Sequence, residues 1–425
     1  MNMMPSKSTP QISFPLDIPN VTVQKVTTNE RGDYIITVAS TLSSTHCRRC
    51  GREISRFHGY GEWIQLRHLP ILGHHVYIRL RPKRYECPYC TPKTTTTQKL
   101  AWYAANSPHT QAYEQHLLLQ LVGSTVEDVS RKEDVGYAAI EGGIERWVQT
   151  TVNWAEFAAL PVIGIDEIAL TKGRRNLVAL ITTQQANGHV ALVAVLSDRK
   201  KETVRQFLET IPQRLRRTME TACSDMWAGY VTALQEFAAA HPEVTLEVGV
   251  DRYHVAQNYR DCVDKVRKPE CRRLKKELPA SAYAELKGVL WIVRQNHRDL
   301  TAGERQQLRR LFVYAPQLKL AYTFREELSA IFELRLTKAQ ARVRLLKWAH
   351  KVRRHKLTCF DSFLTTLDNW LAEICNYFEN RLSSGFVEGL NNKVKTIKRR
   401  CYGILKVATL FQRLYLDLEG YRLFA

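Results

Sequence analysis

The sequence predicts a multidomain chain of mixed α+β and α/β class, with a mixed-sheet core interrupted by an all-helical insertion and preceded by a cysteine-bearing module. Three observations carry this reading. Two Cys-x-x-Cys pairs stand near the N-terminal end, apolar β-branched runs cluster from Pro161 to Val250, and residues from about 260 to 380 show only helical periodicity. At 425 residues the chain exceeds what one simple core accommodates.

Cys47-Arg48-Arg49-Cys50 and Cys87-Pro88-Tyr89-Cys90 are two knuckles that direct four thiolates at one point, the tetrahedral donor set of Zn²⁺. The protein supplies all four ligands, so no position stays open and the zinc is expected to be structural. His46 and His58 are nearby donors that four cysteines make unnecessary. Strand-like segments at 63–68 and 76–84 fill the interval. A zinc-binding module is expected at 41–105, after an N-terminal segment of 1–40. Next, the Leu117–Val122 apolar run, a turn at Gly123, an N-capped start at Ser124-Thr125 and the apolar Ile140, Ile144 and Trp147 predict three short helices. Residues 106–158 are then either a helix-turn-helix DNA-binding domain or a plain helical connector.

From Pro161 the texture changes. Residues 162–168, 177–183 and 189–196 predict three antiparallel strands in a meander. Residues 201–219 predict one helix, with Val204, Phe207, Leu208, Ile211 and Leu215 on a shared face. A short strand at 221–224 ends at Asp225, and a helix to Ala240, a strand at 245–250 and Asp251 follow. This order of elements is that of a ribonuclease H-like fold, in which the first and fourth strands lie side by side. Asp166 and Asp225 are therefore expected to meet. Converging carboxylates suit Mg²⁺ or Mn²⁺ and the displacement of a phosphodiester by two metals. Successive strand residues point to opposite faces, so Glu167 is expected to play a structural part.

The core is expected at 159–259 and again at 381–425. Between them a helical insertion at 260–380 is broken at Leu278-Pro279, Thr301 and Pro316. Its basic faces either grip DNA or are simply solvated. In the last segment Glu388 heads a cationic helix and shares a face with Asn391, Asn392, Lys395 and Arg399. Glu388 is the third candidate acid. Asn391, Asn392, Lys395, Lys398, Arg399 and Arg400 are the candidate DNA-binding residues.

A net charge of +20, from 62 Lys and Arg against 42 Asp and Glu, favours a polyanionic partner. No apolar run reaches the roughly 18 residues of a membrane span, and the first residues lack a secretory pattern. A soluble, cytoplasmic enzyme acting on nucleic acid is expected.

The cysteine knuckles, Gly164-Ile165-Asp166-Glu167, Ser224-Asp225-Met226-Trp227 and Val387-Glu388-Gly389-Leu390-Asn391-Asn392 stand here in one order. Together they resemble the DDE transposases of the ISL-three group of bacterial insertion sequences, over roughly residues 40–420. The resemblance implies that Asp166, Asp225 and Glu388 form a catalytic triad holding Mg²⁺ or Mn²⁺. It also implies cleavage and strand transfer at terminal inverted repeats, double-stranded element ends and target DNA as partners, a homodimer or larger assembly, and a place in the bacterial nucleoid. Asp251-Arg252-Tyr253-His254 resembles a C/D-x-x-H signature of related groups. His254 is then either an active-site neighbour of Asp251 or a satisfied histidine at a helix start. Ser384 and Arg175-Asn176 depart from the group's pattern without removing an acid. Two other readings are a domesticated DNA-binding regulator without cleavage activity and a structure-selective nuclease of the same fold.

Overall fold

The computed structural model describes residues 15–171, 176–185, 187–286, 288–381 and 385–425. Arg175 and Ser384 lie outside the described residues, as do the side chains of Glu388 and Asn391. The chain forms two compact units, Met1–Gln149 with Tyr415–Ala425, and Thr150–Leu414.

In the first unit, β1 (Val21–Thr28), β2 (Tyr34–Ser40), β6 (Ile64–Ile71) and β7 (His74–Leu80) form a sheet in the order β1-β2-β7-β6. Residues 21–40, which the sequence left as a terminal segment, thus supply half of this sheet. Ile36, Val38, Leu66, Val76, Ile78 and Leu80 form its core with Leu100 and Trp102. Alternation along the strands explains the pattern, since every second side chain reaches that face. A ribbon of β3 (Thr45–His46) with β4 (Glu53–Ile54), and a second sheet of β5 (Arg56–Tyr60), β8 (Lys83–Cys87) and β9 (Thr94–Thr97), carry the cysteines.

Three short helices follow: α1 (Gln111–Leu121), α2 (Val126–Glu133) and α3 (Tyr137–Trp147). The Thr110 and Thr125 side chains cap α1 and α2 by accepting from the N–H groups of Tyr113 and Asp128. Buried Glu114 ties α1 to α3. It accepts from Ser107 Oγ at 2.6 Å, Arg146 Nε at 3.0 Å and Trp147 Nε1 at 2.8 Å. The chain's last residues complete this unit. The Gly123 N–H donates to Asp417 at 3.2 Å, and a Cβ at Gly420 would lie 2.5 Å from a Val122 methyl.

The second unit is built on β10 (Val162–Ala169), β11 (Leu177–Gln184), β12 (Val190–Val195), β13 (Thr221–Ser224) and β14 (Glu247–Val250). Their order is β12-β11-β10-β13-β14. β11 is antiparallel to β10 and β12, whereas β13 is parallel to β10 and β14. Where one helix was expected at 201–219, two form, α4 (Lys201–Glu209) and α5 (Gln213–Arg216). Pro212 explains the break, because it has no N–H to donate and drives the preceding residue from helical geometry. α6 (Ala228–Ala240) buries Tyr230, Val231, Leu234 and Phe237 at helical spacing, joining β13 to β14.

The 26-residue α7 (Arg252–Glu277) leaves the sheet and enters a helical body. That body holds α8 (Ala280–Ala284), α9 (Val289–Ile292), α10 (Ala302–Tyr314), α11 (Pro316–Glu333), α12 (Lys338–Arg354) and α13 (Asp361–Asn380). Thr301 forms a capping box with Glu304, and Pro316 opens α11 where its missing N–H costs nothing. α13 returns to the sheet, with Asn376 donating to the Val248 carbonyl at 2.8 Å. α14 (Gly385–Arg400) and α15 (Val407–Phe424) end the chain. Among the described residues no helix is long and apolar enough to cross a membrane.

Candidate active site and zinc centre

The two knuckles close on each other. Cys47 and Cys90 sulfurs lie 3.9 Å apart, Cys50 and Cys87 sulfurs 3.7 Å apart, and all four lie within 4.8 Å of one another. A tetrahedron with Zn–S bonds of about 2.3 Å has edges of about 3.8 Å, so the donor set fits the ion. Backbone N–H groups of Cys50 and Arg49 pull the Cys47 thiol down to about 6. Burial pushes Cys90 up to about 12. Holding four thiolates together in these apolar surroundings demands a cation.

In the second unit, β10 and β13 run parallel, with Ile165 level with Ser224. Asp166 and Asp225 are the next residue on each strand, and their charges interact. Asp166 is buried and accepts from the Glu167 N–H at 2.6 Å. Asp225 Oδ1 is buried without a hydrogen-bond partner among the described residues. Burial, then the charges of Glu167 and Asp166, push its carboxyl up to about 7, while His254 and the Trp227 N–H pull it back. A buried, unpartnered carboxylate oxygen facing other acids is a place for a cation.

Asp251 sits at the end of β14, where its N–H donates to the Ser224 carbonyl at 2.7 Å. Its side chain caps α7 through the Tyr253 N–H at 2.9 Å and lies 3.8 Å from His254 Nε2. Asp251 thus anchors the helix start that brings His254 within electrostatic reach of Asp225.

A second group escaped the sequence reading. Arg199 pairs with Glu167 at 2.9 Å and stacks on the Trp227 ring at 4.3 Å. Trp227 folds over Gly229, where a Cβ would lie 2.6 Å from the indole nitrogen. Tyr230 carries a buried hydroxyl without a partner, and its acidity is suppressed by burial and by Asp225. Arg199 lies in a charged loop sequence, Ser197–Lys201, and only the fold shows that it faces the acids. Gly229 two residues after Trp227 was the one local signal of a close approach.

α14 packs against β10, and Lys398 donates to the Ala169 carbonyl. Leu390, Val394 and Ile397 are buried on one face, while Asn392, Lys395 and Arg399 are exposed on another. Arg400 is half-buried. Position 388 belongs to the first turn of this helix.

Residues 163–414 match the model of a family described as transposase, and residues 43–90 match the zinc finger of the IS204, IS1001, IS1096 and IS1165 transposases. The first match spans more than half of the chain, which therefore belongs to the ISL3 group of DDE transposases, with a zinc ribbon near its N-terminal end. The transposase of insertion sequence IS1001 from Bordetella parapertussis is 25% identical over 358 residues, covering 84% of each chain. That of IS1557 from Mycobacterium tuberculosis is 22% identical over 401 residues, covering 88% of this chain and 86% of the relative.

Proposed function

We propose that this transposase cleaves DNA strands at the terminal inverted repeats of an insertion sequence and joins the freed ends to target DNA. The observation that carries the reading is the pair Asp166 on β10 and Asp225 just past the end of parallel β13, with one Asp225 oxygen buried and unpartnered among the described residues. The strand order supports a ribonuclease H-like core at 159–259 and from 381 to 414, with the helical body of 260–380 inserted; the expected bound of 425 is too far, because Tyr415–Ala425 belongs to the first unit. Asp166, Asp225 and Glu388 are the residues assigned to hold Mg²⁺ or Mn²⁺. Bound there, the ions supply positive charge at the attacking and leaving oxygens of a phosphodiester.

The chain's own residues do the rest. Arg199 holds Glu167 aside as an ion-pair partner, leaving Asp166 and Asp225 for the ions. The Trp227 and Tyr230 side chains cover the acids and restrict water beside them. Asp251 fixes the helix start that presents His254, which lies close enough to Asp225 to steady its charge. Asn391, Asn392, Lys395, Lys398, Arg399 and Arg400 are assigned to phosphates; Asn392, Lys395 and Arg399 form the exposed face, and Lys398 would have to leave the Ala169 carbonyl to reach DNA. In the first unit, α1 to α3 are read as a helix-turn-helix at 106–158 beside the zinc module of 41–105. Together these would recognise the element ends as double-stranded DNA, with two or more copies assembling on a pair of ends in the nucleoid. No observation favours a regulator without cleavage or a structure-selective nuclease.

The test is strand cleavage of a labelled duplex carrying the element end, with Mg²⁺ or Mn²⁺. Wild type should nick at the element boundary, and Asp225→Asn and Glu388→Gln should bind that duplex without nicking it. Nicking that survives either substitution overturns the assignment.

A further inference from the structure

α14 ends in a way that costs the fold stability and returns nothing to it. The Tyr402 N–H donates to the Arg399 carbonyl at 3.1 Å and the Gly403 N–H to the Lys398 carbonyl at 2.9 Å. This is the Schellman pattern, whose left-handed position usually belongs to glycine. Here Tyr402 occupies it, at φ +52°, with Gly403 one place later. A Cβ in that conformation crowds the following carbonyl. No burial offsets the strain, because Tyr402 is 97% exposed.

The neighbours give the tip its character. Ile404 is buried and anchors the turn, while Leu405 is 71% exposed. Lys395, Arg399 and Lys406 are exposed around it, and no acid occurs between Glu388 and Asp417. An exposed apolar pair inside an all-cationic stretch complements a polyanion that also offers flat apolar faces. Paired bases hide those faces in the stack, whereas unpaired bases present them, and aromatic rings bind them without regard to sequence.

We infer that Tyr402, backed by Leu405, stacks on an unpaired base of the DNA that α14 holds. The tip therefore binds locally opened rather than fully paired DNA. This rests on the reading of α14 as a DNA-contacting helix. Strain kept in an exposed residue is then a cost retained for a partner.

The test uses the zinc-loaded full chain at low salt without added Mg²⁺ or Mn²⁺, and two labelled 30-base-pair duplexes, fully paired or with a central three-base mismatch containing 2-aminopurine. Wild type should favour the mismatched duplex and quench its 2-aminopurine. Tyr402→Gly should lose that preference roughly ten-fold, the size of one base–aromatic stack. It should also keep paired-duplex affinity and melt about 2 °C higher, because the strain is gone. Tyr402→Trp should retain quenching. Equal mismatch preference in wild type and Tyr402→Gly overturns the inference while leaving the reading of α14 intact. Failure of wild type to bind either duplex overturns that reading as well. If Tyr402→Gly instead changes the oligomeric state without DNA, the tip serves a second copy of the chain and the inference is wrong.

Discussion

The charge of Asp225 is poorly tolerated by this fold, and replacing it with asparagine should make the protein more stable and inactive. Burial and the neighbouring acids push its carboxyl up to about 7, from about 3.8 for a free aspartate. That difference opposes the ionised form by on the order of 4 kcal/mol. A folded value above the unfolded one gives stability that is complete below about pH 4 and is lost as pH rises through about 7. Asp225→Asn keeps a polar group in the same buried place but cannot ionise. Without added Mg²⁺ its advantage over wild type should therefore widen by about 2–3 kcal/mol between pH 5 and pH 8. Saturating Mg²⁺ should then stabilise wild type by binding only the folded site, and should leave the variant nearly unmoved. Urea unfolding followed by tryptophan fluorescence, run at both pH values with and without Mg²⁺, measures each term. An advantage that stays constant with pH, or a Mg²⁺ effect equal in both proteins, refutes the crowded-carboxylate argument.

Three further outcomes follow from the first unit. Glu114→Ala removes the buried acceptor shared by Ser107, Arg146 and Trp147 and should cost about 1–3 kcal/mol, read from hydrogen exchange in α1 and α3. Little loss of protection there would show that the carboxylate is not what joins these helices. His109 is buried, and burial lowers its value to about 4, so neutral His109 supports the fold above about pH 6.5 and this support fades as pH falls through 4. His109→Phe should reduce acid sensitivity between pH 7 and pH 4 by about 2–3 kcal/mol, checked by melting curves across that range. Cys87→Ser should cut bound zinc from one ion per chain to near zero at micromolar protein, measured by metal analysis after dialysis. Retained stoichiometric zinc would reassign the site.

What could be read from the sequence was whatever depends on neighbours along the chain. Paired cysteines two residues apart, β-branched runs and threonine caps at Thr125 and Thr301 act locally, so their patterns survive into structure. The meeting of β10 and β13 was legible because a known order of elements fixes which strands adjoin. Other features depend on distant partners. Strands β1 and β2 gain their place from β7, which no pattern within 21–40 reveals. Arg199 carries no mark in its own loop, because its partners Glu167 and Trp227 come from elsewhere in the chain. Helical periodicity carried across Pro212 because an apolar face can continue through a break in the backbone. Glu388 is legible as a residue type on a cationic helix, and its side chain lies outside the described residues.

The last turns of α15 close the first unit, yet the whole of Thr150–Leu414 is made before they emerge from the ribosome. At about 5–20 residues per second, the unit that begins the chain waits on the order of tens of seconds for its final piece. Until then Val122 and the Gly123 N–H lack the Gly420 and Asp417 surfaces that cover them. A chain released early therefore carries an unfinished first unit as well as a shortened second one.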